Sequence, residues 1–236
     1  MDEQFSRTAM LIGDQGLERL KNARVALFGV GGVGSFAAEA LVRAGIGAID
    51  LFDSDIVCPS NLNRQLIALH STLGCYKVDA ARERLLDINP DVRIEARRLF
   101  YLPETAESVD LSVYDYIVDC VDTVAAKIEL AIRANSLGIP MIASMGTGNK
   151  LNPAAFEVED LSRTTVCPLA RVMRRELRKR GIHHMKVVYS REEPRSASDE
   201  TPVGSRRSTP GSVSFCPSVA GLILAGEVVR DLADVH

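Results

Sequence analysis

Residues 28–36 read FGVGGVGSF. An apolar, β-branched run, ARVALFGV at 23–30, leads into them, and helical spacing of apolar residues over 32–44 leads out. AIDLFD at 48–53 then reads as a second strand, so the stretch predicts a strand–turn–helix–strand unit with Gly29, Gly31, Gly32 and Gly34 in the turn. Glycines there let the chain turn tightly and bring backbone N–H groups close to an anion at a helix N-terminus. Asp53 closes the second strand at the spacing where an acid takes ribose hydroxyls. These two features serve a nicotinamide dinucleotide and ATP equally well.

The same alternation continues outward. A helical pattern at 76–87 ends at Asn89-Pro90, VRIEARRLF at 92–100 alternates like a strand, and YDYIVDCVD at 114–122 is another. A helix over 124–137 is closed by Gly138, and PMIASMG at 140–146 follows as a strand. The succession predicts a Rossmann-like, doubly wound, mostly parallel α/β sheet covered on both faces. In the second half AAFEVEDLS (154–162) and MKVVYS (185–190) extend the sheet by antiparallel strands, around a helix in CPLARVMRRELRKRG (167–181). The first 20 residues read as an amphipathic helix and VAGLILAG (219–226) as a buried one. Residues 192–212, rich in Ser, Pro and charge and without period, predict a mobile loop. The expectation is one domain over 1–236, with its nucleotide part at 20–150.

Composition narrows the function classes. An apolar fraction of 46% in 236 residues supports a sizeable core, and a net charge of −3 confines any nucleic-acid surface to a local patch. The N-terminus lacks the basic start and apolar centre of a signal peptide. The apolar run at 219–226 is far short of the ~20 residues of a membrane span. Cys58, Cys75, Cys120, Cys167 and Cys216 are scattered without C-x-x-C spacing, which suits reduced thiols in a cytoplasm and gives no zinc site.

The stretch that separates ATP from a dinucleotide is DSDIVCPSNLNRQL at 53–66 with GCYK at 74–77. An Arg and a Lys aimed at one pocket, Arg64 and Lys77, suit a triphosphate whose charge must be neutralised as pyrophosphate leaves. VDCVDT places Asp119 and Asp122 at the end of the next strand, where an acid can hold Mg2+ against phosphates. Between 171 and 180 stand six basic residues and one acid, with Arg171, Arg174, Arg175 and Arg178 on one helical face and Lys179 beside them. Such a patch suits a phosphate backbone, and a solvated helix face would look the same in sequence.

G-x-G-G-x-G, Asp53 with Asp55, S-N-L-N-R-Q at 60–65, G-x-x-K at 74–77 and D-x-x-D at 119–122 together resemble the E1-like adenylate-forming enzymes of the ThiF and MoeB type. That resemblance implies ATP with Mg2+ on Asp122, ribose on Asp53, and phosphates held by Asn63, Arg64 and Lys77, with Asn61, Gln65 and Asp55 beside them. Thr123 departs from the Asn that often follows the acid. The resemblance also implies a homodimer in which Arg7 reaches the partner's ATP in trans. The basic string at 167–181, GIGAIDLFDSD, and SVSFCPSVAGLILAGEVVRDL near the C-terminus resemble one branch of that family, the dehydratases that cyclise threonylcarbamoyladenosine beside the tRNA anticodon. By this resemblance residues 151–236 face tRNA and the dimer partner, and the carboxylate is adenylated and then attacked by its own carbamoyl group, so no cysteine nucleophile is needed. Members of the branch are also linked to an alkali cation and to cysteine-desulfurase sulfur transfer, for which Cys167 or Cys216 would be the acceptor. The reading left beside it is an enzyme adenylating a small sulfur-carrier or ubiquitin-like protein, although the zinc pairs usual there are absent.

Overall fold

A computed structural model describes residues 3–195 and 210–235. Seven strands, β1 (Arg24–Phe28), β2 (Ala48–Phe52), β3 (Arg93–Arg97), β4 (Tyr116–Asp119), β5 (Met141–Ser144), β6 (Phe156–Asp160) and β7 (Lys186–Ser190), form one sheet in the order β3-β2-β1-β4-β5-β7-β6. All neighbours are parallel except β6, which runs antiparallel to β7 at the edge. The doubly wound sheet is therefore as expected, with one refinement: β7 lies parallel beside β5, so a single strand is reversed where two were expected to extend the sheet. The reversed strand FEVED is half-polar and sits at the edge, whereas RVALF and AIDLF are buried on both faces.

The helices are α1 (Ser6–Asn22), α2 (Gly34–Ala44), α3 (Lys77–Ile88), α4 (Val124–Leu137), α5 (Pro168–Arg178) and α6 (Phe215–Ala233). The N-terminal helix is not continuous: Gly13, at φ 74 and ψ 166, kinks α1. The apolar run near the C-terminus forms the middle of α6, which packs along α2 so closely that a Cβ on Gly221 would strike the Val33 carbonyl oxygen. Among the described residues no helix is long and apolar enough to cross a membrane. A charge inside buried β2 is balanced locally: Asp50 accepts from Arg24 at 2.9 and 3.1 Å and from the Tyr114 hydroxyl at 2.8 Å. Most of the expected loop 192–212 lies outside the described residues. Its two described ends meet at Asn149, whose carbonyl accepts from the Arg195 amide and whose side-chain oxygen accepts from the Gly211 amide.

Because β1 is followed on one side by β2 and β3 and the chain then returns to β4 on the other, the strand order reverses between β1 and β4. In open α/β sheets the crevice beyond the strand ends at such a reversal is where ligands bind.

Candidate nucleotide-binding site

A cavity of about 450 Å³ opens at that reversal. Its floor is the glycine turn after β1. Gly29 adopts φ +89 and lies against the Cys120 backbone, where a Cβ would come within 2.8 Å, and a Cβ on Gly34 would strike the Gly29 carbonyl. Gly31 is different: a Cβ there would project toward the cavity and find only the Gln65 amide nitrogen, at 3.8 Å. Two of these glycines are thus required by the turn, and the third leaves room above it.

One wall is charged. Asp53 follows β2 directly, and its carboxylate accepts from the Val30 amide at 2.8 Å and the Asp55 amide at 2.9 Å. Lys77, at the start of α3, places its ammonium 2.6 Å from Asp55 and 4.0 Å from Asp53. Burial lifts the Asp53 carboxyl above its ordinary range, with Lys77 and the two backbone donors acting against the rise. Arg64 donates to the Ser60 carbonyl at 2.9 Å and to Asn63 Oδ1 at 3.0 Å, which fixes one edge of its guanidinium at the cavity. Ser35 ties this loop to the glycine turn, donating to the Gly31 carbonyl and accepting from the Leu66 amide.

The opposite wall is apolar: Phe52, Leu99, Phe100, Tyr101, Val121 and Ala126 line it. Phe28 stacks on Phe52 with ring centroids 4.3 Å apart and meets Tyr101 edge-on, which stiffens that face from beneath. Asp122 stands exposed at the rim with Thr123 beside it.

Of the sequence candidates, Gly29, Gly31, Gly32, Asp53, Asp55, Asn61, Arg64, Gln65, Lys77, Asp122 and Thr123 are brought together here. Four candidates for the nucleotide site stand elsewhere. Gly34 serves the turn rather than the cavity, and Asn63 does not line the cavity but donates to the carbonyl of Ser212, which does, at 3.0 Å while supporting Arg64. Arg7 is exposed on α1, outside its own chain's cavity. Asp119 does not share the rim with Asp122 either. It is buried below, paired with the equally buried Lys127 at 3.0 Å, and Lys127 also donates to the Ser144 carbonyl at 2.7 Å.

Lys127, the apolar turn at 99–101 and the segment Ser144–Gly148 were not singled out by sequence reasoning. The last carried a signal, since SMGTGNK puts two glycines directly after a strand. Cys120 also lines the cavity, and burial pushes its thiol far above the ordinary range, which disfavours the reactive thiolate.

The residues fit a nucleotide on two counts besides charge. Gln65 is buried, yet its Oε1 has no hydrogen-bond partner among the described residues, and Gly31 leaves empty space beside it. The basic residues of α5 form a separate, open concavity of about 390 Å³ lined by Arg171, Arg174, Arg175, Arg178 and Lys179. They are not equally available. Arg174 directs one guanidinium nitrogen inward, to the Leu161 carbonyl and to both the carbonyl and the hydroxyl of Thr164. Arg175, Lys179 and Arg180 converge on Glu176 at 3.0, 3.1 and 3.2 Å and hold its carboxyl down at about 2. Arg171 and Arg178 are exposed beside them.

Fold and site together define a Rossmann-like nucleotide-binding protein whose crevice combines a glycine turn with an acid, an arginine and a lysine. The chain belongs to the ThiF family, whose model matches residues 5–235. A tRNA threonylcarbamoyladenosine dehydratase of Bacillus subtilis (strain 168) is 46% identical to it, over 98% of this chain and 95% of that protein. Among solved structures, the E. coli tRNA N6-threonylcarbamoyladenosine dehydratase TcdA in complex with ATP superposes with a TM-score of 0.86 at 31% identity, covering 98% of this chain and 94% of that one. The same enzyme in complex with AMP gives 0.88 at 30% identity and the same coverage.

Proposed function

We propose that this chain is an ATP-dependent dehydratase that cyclises N6-threonylcarbamoyladenosine in tRNA through a carboxyl-adenylate. The observation that carries the reading is the convergence of Asp53, Arg64, Lys77 and Asp122 on one cavity above the glycine turn, in a chain so similar to dehydratases over nearly its whole length. The threonine carboxylate attacks the α-phosphorus of ATP and pyrophosphate leaves. An atom of the same threonylcarbamoyl group then attacks the acyl carbon, and AMP departs with one former carboxylate oxygen. The net change in the nucleoside is loss of one water. Intramolecular attack suits a site without a nucleophilic cysteine, because well-oriented internal groups reach effective molarities of ~10^5 M or more.

In this reading Asp53 takes the ribose hydroxyls and the aromatic and aliphatic wall takes the purine. Arg64 and Lys77 neutralise the departing pyrophosphate. Asp122 would hold Mg2+, which screens phosphate charge when bound. The concavity on α5 meets the tRNA backbone, so the part of the chain from 151 onward serves the polynucleotide and the part at 20–150 serves ATP. The exposed position of Arg7 suits a homodimer in which it reaches the partner's cavity. An alkali cation and a sulfur-transfer partner remain expectations from the family resemblance alone.

The direct experiment is to incubate the protein with Mg-ATP and tRNA bearing threonylcarbamoyladenosine, digest under mild conditions and examine the nucleosides by mass spectrometry. ATP-dependent appearance of the modified nucleoside minus one water is expected. With an active control enzyme on the same tRNA, failure of that product to form would reject the reading.

A further inference from the structure

The cavity is longer than the set of residues assigned to ATP. Beyond the glycine turn it continues along Ser144–Gly148, after β5, to Leu169 in the first turn of α5. The wall of this extension is built around Gly146, and that glycine has no reason in the fold. Gly146 is not among the glycines with positive φ, and a Cβ built on it would meet nothing closer than the Leu169 Cβ at 3.9 Å and the Cys167 sulfur at 4.0 Å. Ordinary packing would accept an alanine there, in contrast with Gly29, Gly34 and Gly221, where backbone stands in the way. Gly31 is the other cavity glycine of this open kind, and it lies beside the Nε2 of Gln65, whose Oε1 has no partner among the described residues. Two glycines that the fold does not need thus face one cavity from two ends.

The chemistry of the extension is set by its surroundings. Cys167 is the N-cap of α5 and makes no side-chain cap bond, so the first-turn N–H groups of an 11-residue helix point toward this end with no such cap. Lys150 stands behind this end rather than in the cavity lining: it is buried, which pushes its ammonium below the ordinary range, and it donates to the Glu192 carbonyl. The first-turn amides of α5, beside a wall left bare at Gly146, favour an anionic group over a neutral one.

We propose that the extension around Gly146 is the acceptor subsite, where the carboxylate-bearing threonylcarbamoyl group of the substrate lies against the Gly146 backbone. This rests on the dehydratase reading of the site. The bare glycine is the specificity element: a single methyl group at position 146 fills space that the acceptor occupies and leaves the nucleotide end untouched.

The test is Gly146→Ala in the full-length protein, with Gly31→Ala as its counterpart and Leu169→Trp as a second way to fill the extension. Wild-type turnover of threonylcarbamoyladenosine-bearing tRNA is measured first, and its absence would reject the dehydratase reading rather than the subsite. Given that turnover, Gly146→Ala is expected to keep the wild-type Tm and ATP affinity, measured by calorimetry with ATP alone, and to raise KM for the modified tRNA at least tenfold. Gly31→Ala is expected to show the reverse pattern, weakened ATP binding with a Tm near wild type. Leu169→Trp covers the case in which Gly146→Ala fails to fold, and the same rise in KM for tRNA at unchanged ATP affinity is expected of it. The proposal is overturned by a folded Gly146→Ala or Leu169→Trp whose KM for tRNA stays within twofold of wild type, or whose loss lies in ATP affinity instead.

Discussion

Two regions of this molecule concentrate charge, and they do so in opposite ways. Under and around the cavity, buried charges of opposite sign are paired: Asp119 with Lys127, and Lys77 with Asp53 and, at the surface, Asp55. On α5 the charges are mostly of one sign, exposed, and only partly offset by Glu176. A buried pair carries a desolvation cost and is tolerated where geometry must be fixed, as it must be around a phosphorus atom undergoing displacement. An exposed row of cations makes little fixed geometry but follows a polyanion of variable path. Under the proposed function, precise positioning falls to the cavity and adjustable attraction to the helix.

The sharpest way to break this contrast is at Arg64. Its guanidinium is positioned by Ser60 and Asn63 at the cavity, so Arg64→Ala is expected to lower turnover by roughly 10^3 to 10^5-fold, as removal of arginines acting on transferring phosphates does. The Tm should stay near wild type, since the side chain bonds only its own loop among the described residues. Steady-state pyrophosphate release beside a thermal melt checks both halves, and activity near wild type would remove the assignment of this wall to the phosphates.

Next in size is the buried pair. Lys127→Met strands the fully buried Asp119 carboxylate and releases the Ser144 carbonyl, with an expected loss of about 3 to 5 kcal/mol in unfolding free energy. Asp119→Asn/Lys127→Met removes the stranded charge and should recover much of that loss. Urea denaturation of the three proteins measures it. If the double variant is as damaged as the single one, pairing is not what Lys127 provides.

How far the sequence carried this picture depended on whether a residue acts through its neighbours in the chain or through the sheet. The glycine turn, Asp53, Arg64 and Lys77 were legible because turn chemistry and short spacings tie the ends of β1 and β2 to the loop and the start of α3 that follow them. Asp119 and Asp122 looked equivalent in VDCVDT, but β4 ends at Asp119, so the first points into the core and the second into the loop. Lys127 was missed although its spacing to Leu130, Ala131 and Ala134 puts it on the buried stripe of α4, because a lone lysine ordinarily reads as solvated and its partners Asp119 and Ser144 come from two different strands. The direction of β7 was hidden for a similar reason: strand order and sense depend on the crossover through α5, not on the residues of the strand. Arg174 matched its neighbours in periodicity, and its inward bonds depend on the turn at 161–164.

The α5 side of the contrast can be sharpened with salt. Arg171 and Arg178 are exposed and have no ion pair among the described residues, whereas Arg174 is held by backbone. Neutralising Arg171 and Arg178 to Gln should therefore flatten the dependence of tRNA affinity on salt, by roughly 0.7 to 0.9 in log–log slope for each phosphate no longer neutralised. Filter binding over a range of salt concentrations measures this. An unchanged slope would leave the concavity as a solvated surface and move the tRNA interface elsewhere.

The smallest expected effect concerns Glu176, and its sign is the useful part. Three cations lower its carboxyl from the ordinary glutamate range to about 2, so the ion cluster is intact above the ordinary range and is lost as pH falls through that value. The group is half-buried at the helix surface beside three largely exposed cations, and solvent screens most of what the pairing contributes to stability. At neutral pH its effect is on the field instead: one carboxylate offsets Arg175, Lys179 and Arg180 together. Glu176→Gln should leave the Tm nearly unchanged and tighten tRNA binding severalfold at low salt, with the gain fading as salt rises. NMR titration of the wild-type carboxyl should give a midpoint near 2, and conversion of Arg175 and Lys179 to Gln should return it upward. If Glu176→Gln weakens tRNA binding instead, the carboxylate orients the cations for the polynucleotide, and α5 would share the fixed geometry that distinguishes the cavity.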